Sequence, residues 1–147
     1  MERRTESAKS VARYGKREPM KSRSAAEKGT FRFQKLEIWK KAIEIGHELL
    51  DVADQLEKRK LYRFAEQVRG ASLSISNNIA EGSGSNSKRD FAHFLNIARR
   101  SAFENANMVI VFYQRGLIKQ EEHDALLKEL DEVSRMIIGF TRNLKVK

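Results

Sequence analysis

Cysteine is absent from the 147 residues. Without thiols there is no disulfide framework, no thiolate zinc site and no cysteine nucleophile. The lack of cysteine suits a reducing compartment, so a cytoplasmic location is expected. Proline occurs once, which leaves little to interrupt long helices. No apolar run approaches the roughly 20 residues that a membrane span requires, and the N-terminus lacks the apolar stretch of a secretory signal. Neither export nor a membrane partner is therefore expected. Negative charge is the minority, with 20 Asp and Glu against 29 Lys and Arg and a net charge of +9. What is plentiful is Ala, Leu, Glu, Lys, Arg and Ile, a helix-forming set, in a chain long enough for one domain with a real core.

The positive charge is uneven. Residues 1–30 hold nine Lys/Arg against four Asp/Glu, a net +5, and residues 31–147 hold twenty against sixteen, a net +4. Among larger apolar side chains in the first thirty residues, Val11, Tyr14 and Met20 stand nearly alone. Such a segment buries too little apolar surface to offset its ordering entropy. It reads as a disordered basic arm, placed at 1–32, ahead of a domain at 33–147. Met20 is a second candidate for the first translated residue. Basic chains are drawn to anionic partners such as nucleic acid; the alternative is a solubilising tail on a mildly basic domain.

From Phe33 the pattern turns helical. Leu36, Trp39, Ile43, Gly46, Leu50 and Ala53 recur at threes and fours, and Ile38, Ala42, Ile45, Leu49, Val52 and Leu56 form an adjacent stripe. Together they give one wide apolar face. The polar run Glu57–Lys60 marks the first turn. A second helix carries Leu61, Phe64, Val68, Ala71, Ile75 and Ile79 and is expected to stop at Gly82. A third runs from Lys88 to about Arg115, with Gly116 just past its end. The fourth has an unbroken seam of His123, Leu126, Leu130, Val133, Ile137, Phe140 and Leu144, as coiled-coil-like packing requires. Short connections between successive helices predict an all-α, antiparallel, up-down-up-down four-helix bundle.

The stretch from Gln67 to Ala98 reads as a helix, a glycine stop, a polar turn and a capped restart. Ser87 followed by Asp90 resembles a capping box with Asp in place of Glu or Gln. Within this stretch, Asn78-Ile79-Ala80-Glu81-Gly82 followed by Phe91, Phe94, Leu95, Ile97 and Ala98 resembles the four-helix-bundle family named after proteins encoded in intervening sequences of 23S ribosomal RNA genes. The resemblance extends over about residues 33–144. It takes in Phe33, Leu36, Trp39 and Ala42, then Gln67, Arg69, Ala71, Ser72 and Ile75, and finally Ser101 and Glu104. Gly70 and Ser76 depart from the family pattern, as does Arg100, which replaces a small residue and must point outward. The resemblance implies a bundle that commonly forms a ring-like homopentamer and has no established enzymatic activity. Distant relatives are retroelement accessory variability proteins, which bind reverse transcriptase and nucleic acid.

Several constellations can be weighed against plain structure. Glu44 with His47, and Asp90 with His93, have the spacing of half a di-iron site. They flank the apolar stripes, and no second inward set of carboxylates accompanies them. No metal or other cofactor is expected, and no G-x-S-x-G elbow supports a hydrolase. Residues 82–85 lack the spacing and lysine of a phosphate loop, although Lys88 and Arg89 at a helix start can hold an isolated phosphate. Arg69 and Glu104 fall at similar heights on neighbouring helices, predicting a structural ion pair within or between subunits. Lys88 aligns with Arg99, and Arg89 with Arg100, because residues eleven apart differ by only about 20° around a helix. This basic stripe is the candidate nucleic-acid surface, with a solvated face as the alternative. The combined expectation is a non-enzymatic homo-oligomer that binds RNA or DNA, or a nucleoprotein such as a reverse transcriptase. A purely protein-binding scaffold is the runner-up, and a metal-dependent enzyme has the least support.

Overall fold

The computed structural model describes residues 29–145. The expected basic arm lies outside the described residues, apart from its last four positions. A 3-10 turn at Arg32–Lys35 comes first, closed by the Phe31 N–H donating to Gln34 Oε1 at 3.0 Å. The wide apolar face of the first helix then winds into α1, Glu37–Lys58. Every member of its Ile38–Leu56 stripe is buried, while Leu36, Trp39, Ile43 and Leu50 are half-buried at the edge.

The link from α1 to the next helix is set by hydrogen bonds. Leu61 N–H donates to Leu56 O (3.0 Å) and Lys60 N–H to Glu57 O (2.8 Å). This paired pattern closes a helix end around one left-handed residue, usually glycine. Here that residue is Lys60, with φ +63°. The same pattern recurs at 112–117, where Leu117 donates to Phe112 O and Gly116 to Tyr113 O. There Gly116 takes the left-handed position at φ +71°, as expected from sequence.

The second expected helix is two segments, α2 at Tyr62–Ser72 and α3 at Ser74–Ser83, interrupted at Leu73. Leu73 stays near helical geometry at φ −93°, ψ −8°, so the interruption is slight. Serines explain it. Ser72 Oγ donates to Arg69 O (2.9 Å) and Ser76 Oγ to Leu73 O (3.1 Å). Such back-bonding competes with the backbone ladder and bends helices. Two other helices close on the interruption. Asn105 Nδ2, fully buried, donates to Ala71 O at 3.0 Å and to Ser101 O at 2.8 Å. On the other side α1 presents Gly46, where a β-carbon would lie 3.2 Å from Ser72 O.

The fourth segment is α4, Lys88–Gln114, and the last is α5, Gln120–Asn143. Ser87 Oγ accepts from Asp90 N–H at 3.1 Å, making the serine half of the expected capping box. Along α5 the expected seam holds: Leu126, Leu130, Val133 and Ile137 are buried, and Phe140 and Leu144 pack against the core. No strand occurs among the described residues. Each helix packs on the next in chain order, and α5 returns to α1. Phe64 meets Phe112 (5.8 Å between ring centroids), Phe91 meets Phe140 (5.5 Å) and Tyr113 meets His123 (4.4 Å).

One expectation is corrected. Gly82 does not stop a helix through a left-handed turn, because α3 continues through it to Ser83 and Gly84 caps it at φ −83°. Instead Gly82 is buried where α3 touches α4. A β-carbon there would lie 2.6 Å from Phe94 Cβ and 3.0 Å from Phe91 Cδ1. The glycine is needed for close approach rather than for turning. Elsewhere in its motif Ile79 is fully buried, and Asn78 Nδ2 donates to Ser74 O at 2.7 Å.

Two substitutions check these assignments. Gly82→Ala forces apart backbone-anchored groups and is expected to lower stability by about 1–3 kcal/mol. Lys60→Gly relieves a left-handed lysine and is expected to raise stability by up to about 1 kcal/mol. Urea midpoints of both variants measure the two effects, and opposite signs would contradict the packing and turn assignments respectively.

Candidate nucleic-acid interface

The capped start of α4 sets Lys88 and Arg89 on its first turn, and both are exposed. Three turns on, Arg99 and Arg100 diverge, since adjacent residues sit about 100° apart. Arg100 is exposed, as its place in the sequence requires. Arg99 is half-buried, with its guanidinium 5.2 Å from the ring centre of Phe103. Phe103 itself is 60% exposed. Arg99 also lines a cavity.

That cavity is a groove of about 400 Å³ between α4 and α5. Its apolar floor includes Leu95, Ile137 and Ile138, and its cations are Arg99, Arg142 and Lys145. Asn96 and Thr141 add polar groups, and no carboxylate of the described residues lines it. Among the described residues, Arg99 Nε is buried without a hydrogen-bond partner. Arg142 and Lys145 escaped the sequence reading, although they follow Ile138 at four and seven residues, the spacing of one helix face. That spacing alone does not reveal which neighbouring helix the face meets.

Arg32 extends the positive end of the bundle. Its Nη2 donates to Ser83 O at 3.1 Å, and its guanidinium lies 5.6 Å from the Phe91 ring centre. The carbonyls in the last turn of a helix lack intrahelical donors, so this arginine satisfies one of them and complements the local dipole.

The expected pairing of Arg69 with Glu104 is not made within the chain. Arg69 turns to α1, reaching Asp54 at 3.1 Å and Glu57 at 3.0 Å, and to Glu66 one turn back at 3.2 Å. Hydrogen bonds to Asp54 and then Glu57 raise its pKa further. Glu104 is exposed on α4. Similar height along neighbouring helices was the wrong criterion, because Arg69 and Glu104 are not on facing sides.

A second charged group, unseen in the sequence, lies between α1 and α5. Lys41 Nζ is 3.8 Å from Glu129 and 3.4 Å from Glu132. Burial works to lower the Lys41 pKa, but the two glutamates outweigh it and raise it. Burial pushes the Glu48 carboxyl up to about 8, with a hydrogen bond to Glu129 and the charge of Glu129 adding to the effect. Glu48 therefore holds its proton to well above the usual carboxylate range. The helix-flank residues Glu44, His47, Asp90 and His93 are all exposed. Among the described residues, no group of three or more His, Asp or Glu side chains is placed to hold a metal ion.

The 23S rRNA-intervening sequence protein family matches residues 34–139, and the chain belongs to that family. Its fold is similar to the crystal structure of a protein of unknown function from the S23 ribosomal protein family of Bacteroides thetaiotaomicron. The two are 22% identical with a TM-score of 0.67, over 71% of this chain and 97% of that one. No curated protein matches. No described helix is long and apolar enough to cross a membrane.

The raised pKa of Glu48 gives a pH prediction. Folded Glu48 keeps a proton that the unfolded chain releases above about pH 4.5, so Glu48 makes stability fall as pH rises from there to about pH 8. Glu48→Gln keeps a donor for Glu129 and carries no titrating proton. At about pH 9 the variant is expected to be more stable than the parent by on the order of 2 kcal/mol, with a much smaller difference near pH 5. Thermal melts across this range measure it, and parallel curves for the two proteins would contradict the raised pKa of Glu48.

Proposed function

We propose that this chain is a non-enzymatic, cytoplasmic, homo-oligomeric bundle that binds nucleic acid, or a nucleoprotein partner, through basic surface. In this reading the four helices run up-down-up-down, and residues 1–32 form a basic arm that adds electrostatic reach to the bundle at 33–147. The observation that carries it is the grouping of cations on and beside α4. Lys88, Arg89 and Arg100 are exposed, and Arg99 shares a carboxylate-free groove with Arg142 and Lys145. Phosphate backbones are the common ligand of such surfaces, and neutralising them releases condensed counterions. No side-chain set resembling a base-reading motif accompanies the cations, so binding is mostly indifferent to sequence.

Self-association has its own support. Ile110, Val111 and Tyr113 are exposed toward the end of α4, more apolar surface than a solvated helix usually displays. The pentamer is taken from the family resemblance alone. The same residues favour a second reading, an assembly scaffold that binds only protein.

Fluorescence anisotropy separates the two. A labelled strand is expected to bind at about 50 mM salt and to weaken steeply by about 200 mM, with a logarithmic slope near 0.9 per phosphate on duplex DNA. Changing Lys88, Arg89 and Arg100 together to Gln should weaken binding and flatten that slope without loss of helicity. No binding to single or double strands at the lower salt would favour the scaffold. Light scattering that shows a monomer at micromolar concentration would remove the pentamer.

A further inference from the structure

We infer that the α4–α5 groove is a seat for one unpaired base, which makes the protein a single-strand rather than a duplex binder. The inference rests on the nucleic-acid reading above and adds a mode of recognition to it. A purely electrostatic surface needs only cations facing water. This groove has an aliphatic floor of Leu95, Ile137 and Ile138 beneath Arg99, Arg142 and Lys145. Its volume of about 400 Å³ lies in the range of small-molecule pockets. A ligand that suits it has a flat, weakly polar body for the floor and a phosphate for the rim.

The polar groups fit a base better than an acyl chain. Asn96 and Thr141 line the same space, and asparagine can donate to and accept from a base edge at once. Thr141 Oγ1 already donates to Ile137 O at 2.7 Å, which leaves its oxygen lone pairs as acceptors.

One helical turn along α4, the exposed ring of Phe103 lies against the Arg99 guanidinium. An exposed aromatic beside a cation is the usual platform on which single strands stack their bases. Arg99 thus links two features, the groove on one side and the ring on the other. In a paired duplex the bases are already stacked and hydrogen-bonded, so neither feature has a free base to meet. The phosphates remain reachable in both forms, and duplex binding is left with the electrostatic component alone.

The test compares two labelled strands of about a dozen nucleotides with identical phosphate backbones, one carrying bases and one fully abasic. The full chain is used at about 50 mM salt. The base-bearing strand is expected to bind at least about fivefold more tightly than the abasic one. Phe103→Ala, at an exposed position, should reduce that preference and leave abasic affinity unchanged. Ala92→Phe fills the groove from α4 without altering charge and should do the same, with circular dichroism to confirm the fold. Equal, measurable binding of both strands would overturn the base seat while leaving phosphate binding in place. Binding of neither strand would overturn the nucleic-acid reading together with the seat. A duplex bound as tightly as the base-bearing strand would also overturn the inference.

Discussion

The register of the bundle depends on one buried amide. Asn105 sits fully enclosed and donates to carbonyls on two helices, Ser101 O on its own and Ala71 O on α2. Its Oδ1 has no hydrogen-bond partner among the described residues. A buried amide lowers stability relative to a hydrocarbon, but it selects one register, because any slide breaks its bond to Ala71 O and leaves that buried N–H unpaired. The carbonyl it reaches lies beside the interruption at Leu73, and Gly46 lets α1 close on the adjoining Ser72 carbonyl. Three helices are thereby locked at one level. The slight break in the second helix is a joint rather than a loose end.

Fixing Asn105 inward also fixes what α4 shows outward. At about 100° per residue, Phe103 and Arg100 lie about 160° and about 140° from Asn105, while Arg99 lies about 120° away and meets α5. On α5 the charges separate in the same manner, with Arg142 about 140° around the helix from Glu129, and Lys145 follows just past the helix end at φ +49°. Glu129 and Glu132 face Lys41 on α1, and the cations face α4. The modest excess of positive charge in residues 31–147 is therefore sorted. Among the described residues, acidic side chains pair with Lys41 between α1 and α5, and basic ones line the α4–α5 groove.

Much of the architecture could be read from spacing. The stripes of α1, the seam of α5, the start of α4 at Lys88 and the glycine turn at Gly116 all follow from local rules of periodicity and capping. What could not be read depended on which surfaces face each other. Gly82 looked like a helix stop because glycine ends helices often, yet its reason is the Phe91 and Phe94 contact on the next helix. Lys60 gave no sign of a left-handed conformation, since lysine is an unusual choice there. Arg69 and Glu104 matched in height but not in azimuth, and Arg69 found carboxylates on α1 instead. Half of the candidate site was similarly hidden. Arg99 stood out within a cluster of basic residues, whereas Arg142 and Lys145 acquire meaning only when α5 is laid against Leu95.

The extent of the family match sharpens that division. The matched region ends at residue 139, so it holds the joint at Asn105, the Gly82 contact, Arg99 and most of the groove floor. Arg142 and Lys145 lie beyond it. The matched span contains most of both helices that pack to form the aliphatic cleft, and the cleft follows from that packing. The charge at the cleft's rim does not follow from the packing, because two of its three cations stand outside the matched span and make no ion pair among the described residues. A cationic side chain at the edge of an apolar cleft adds little to folding, since its charge fills no core position. Arg142 and Lys145 keep their charges exposed at the rim, which no carboxylate of the described residues lines.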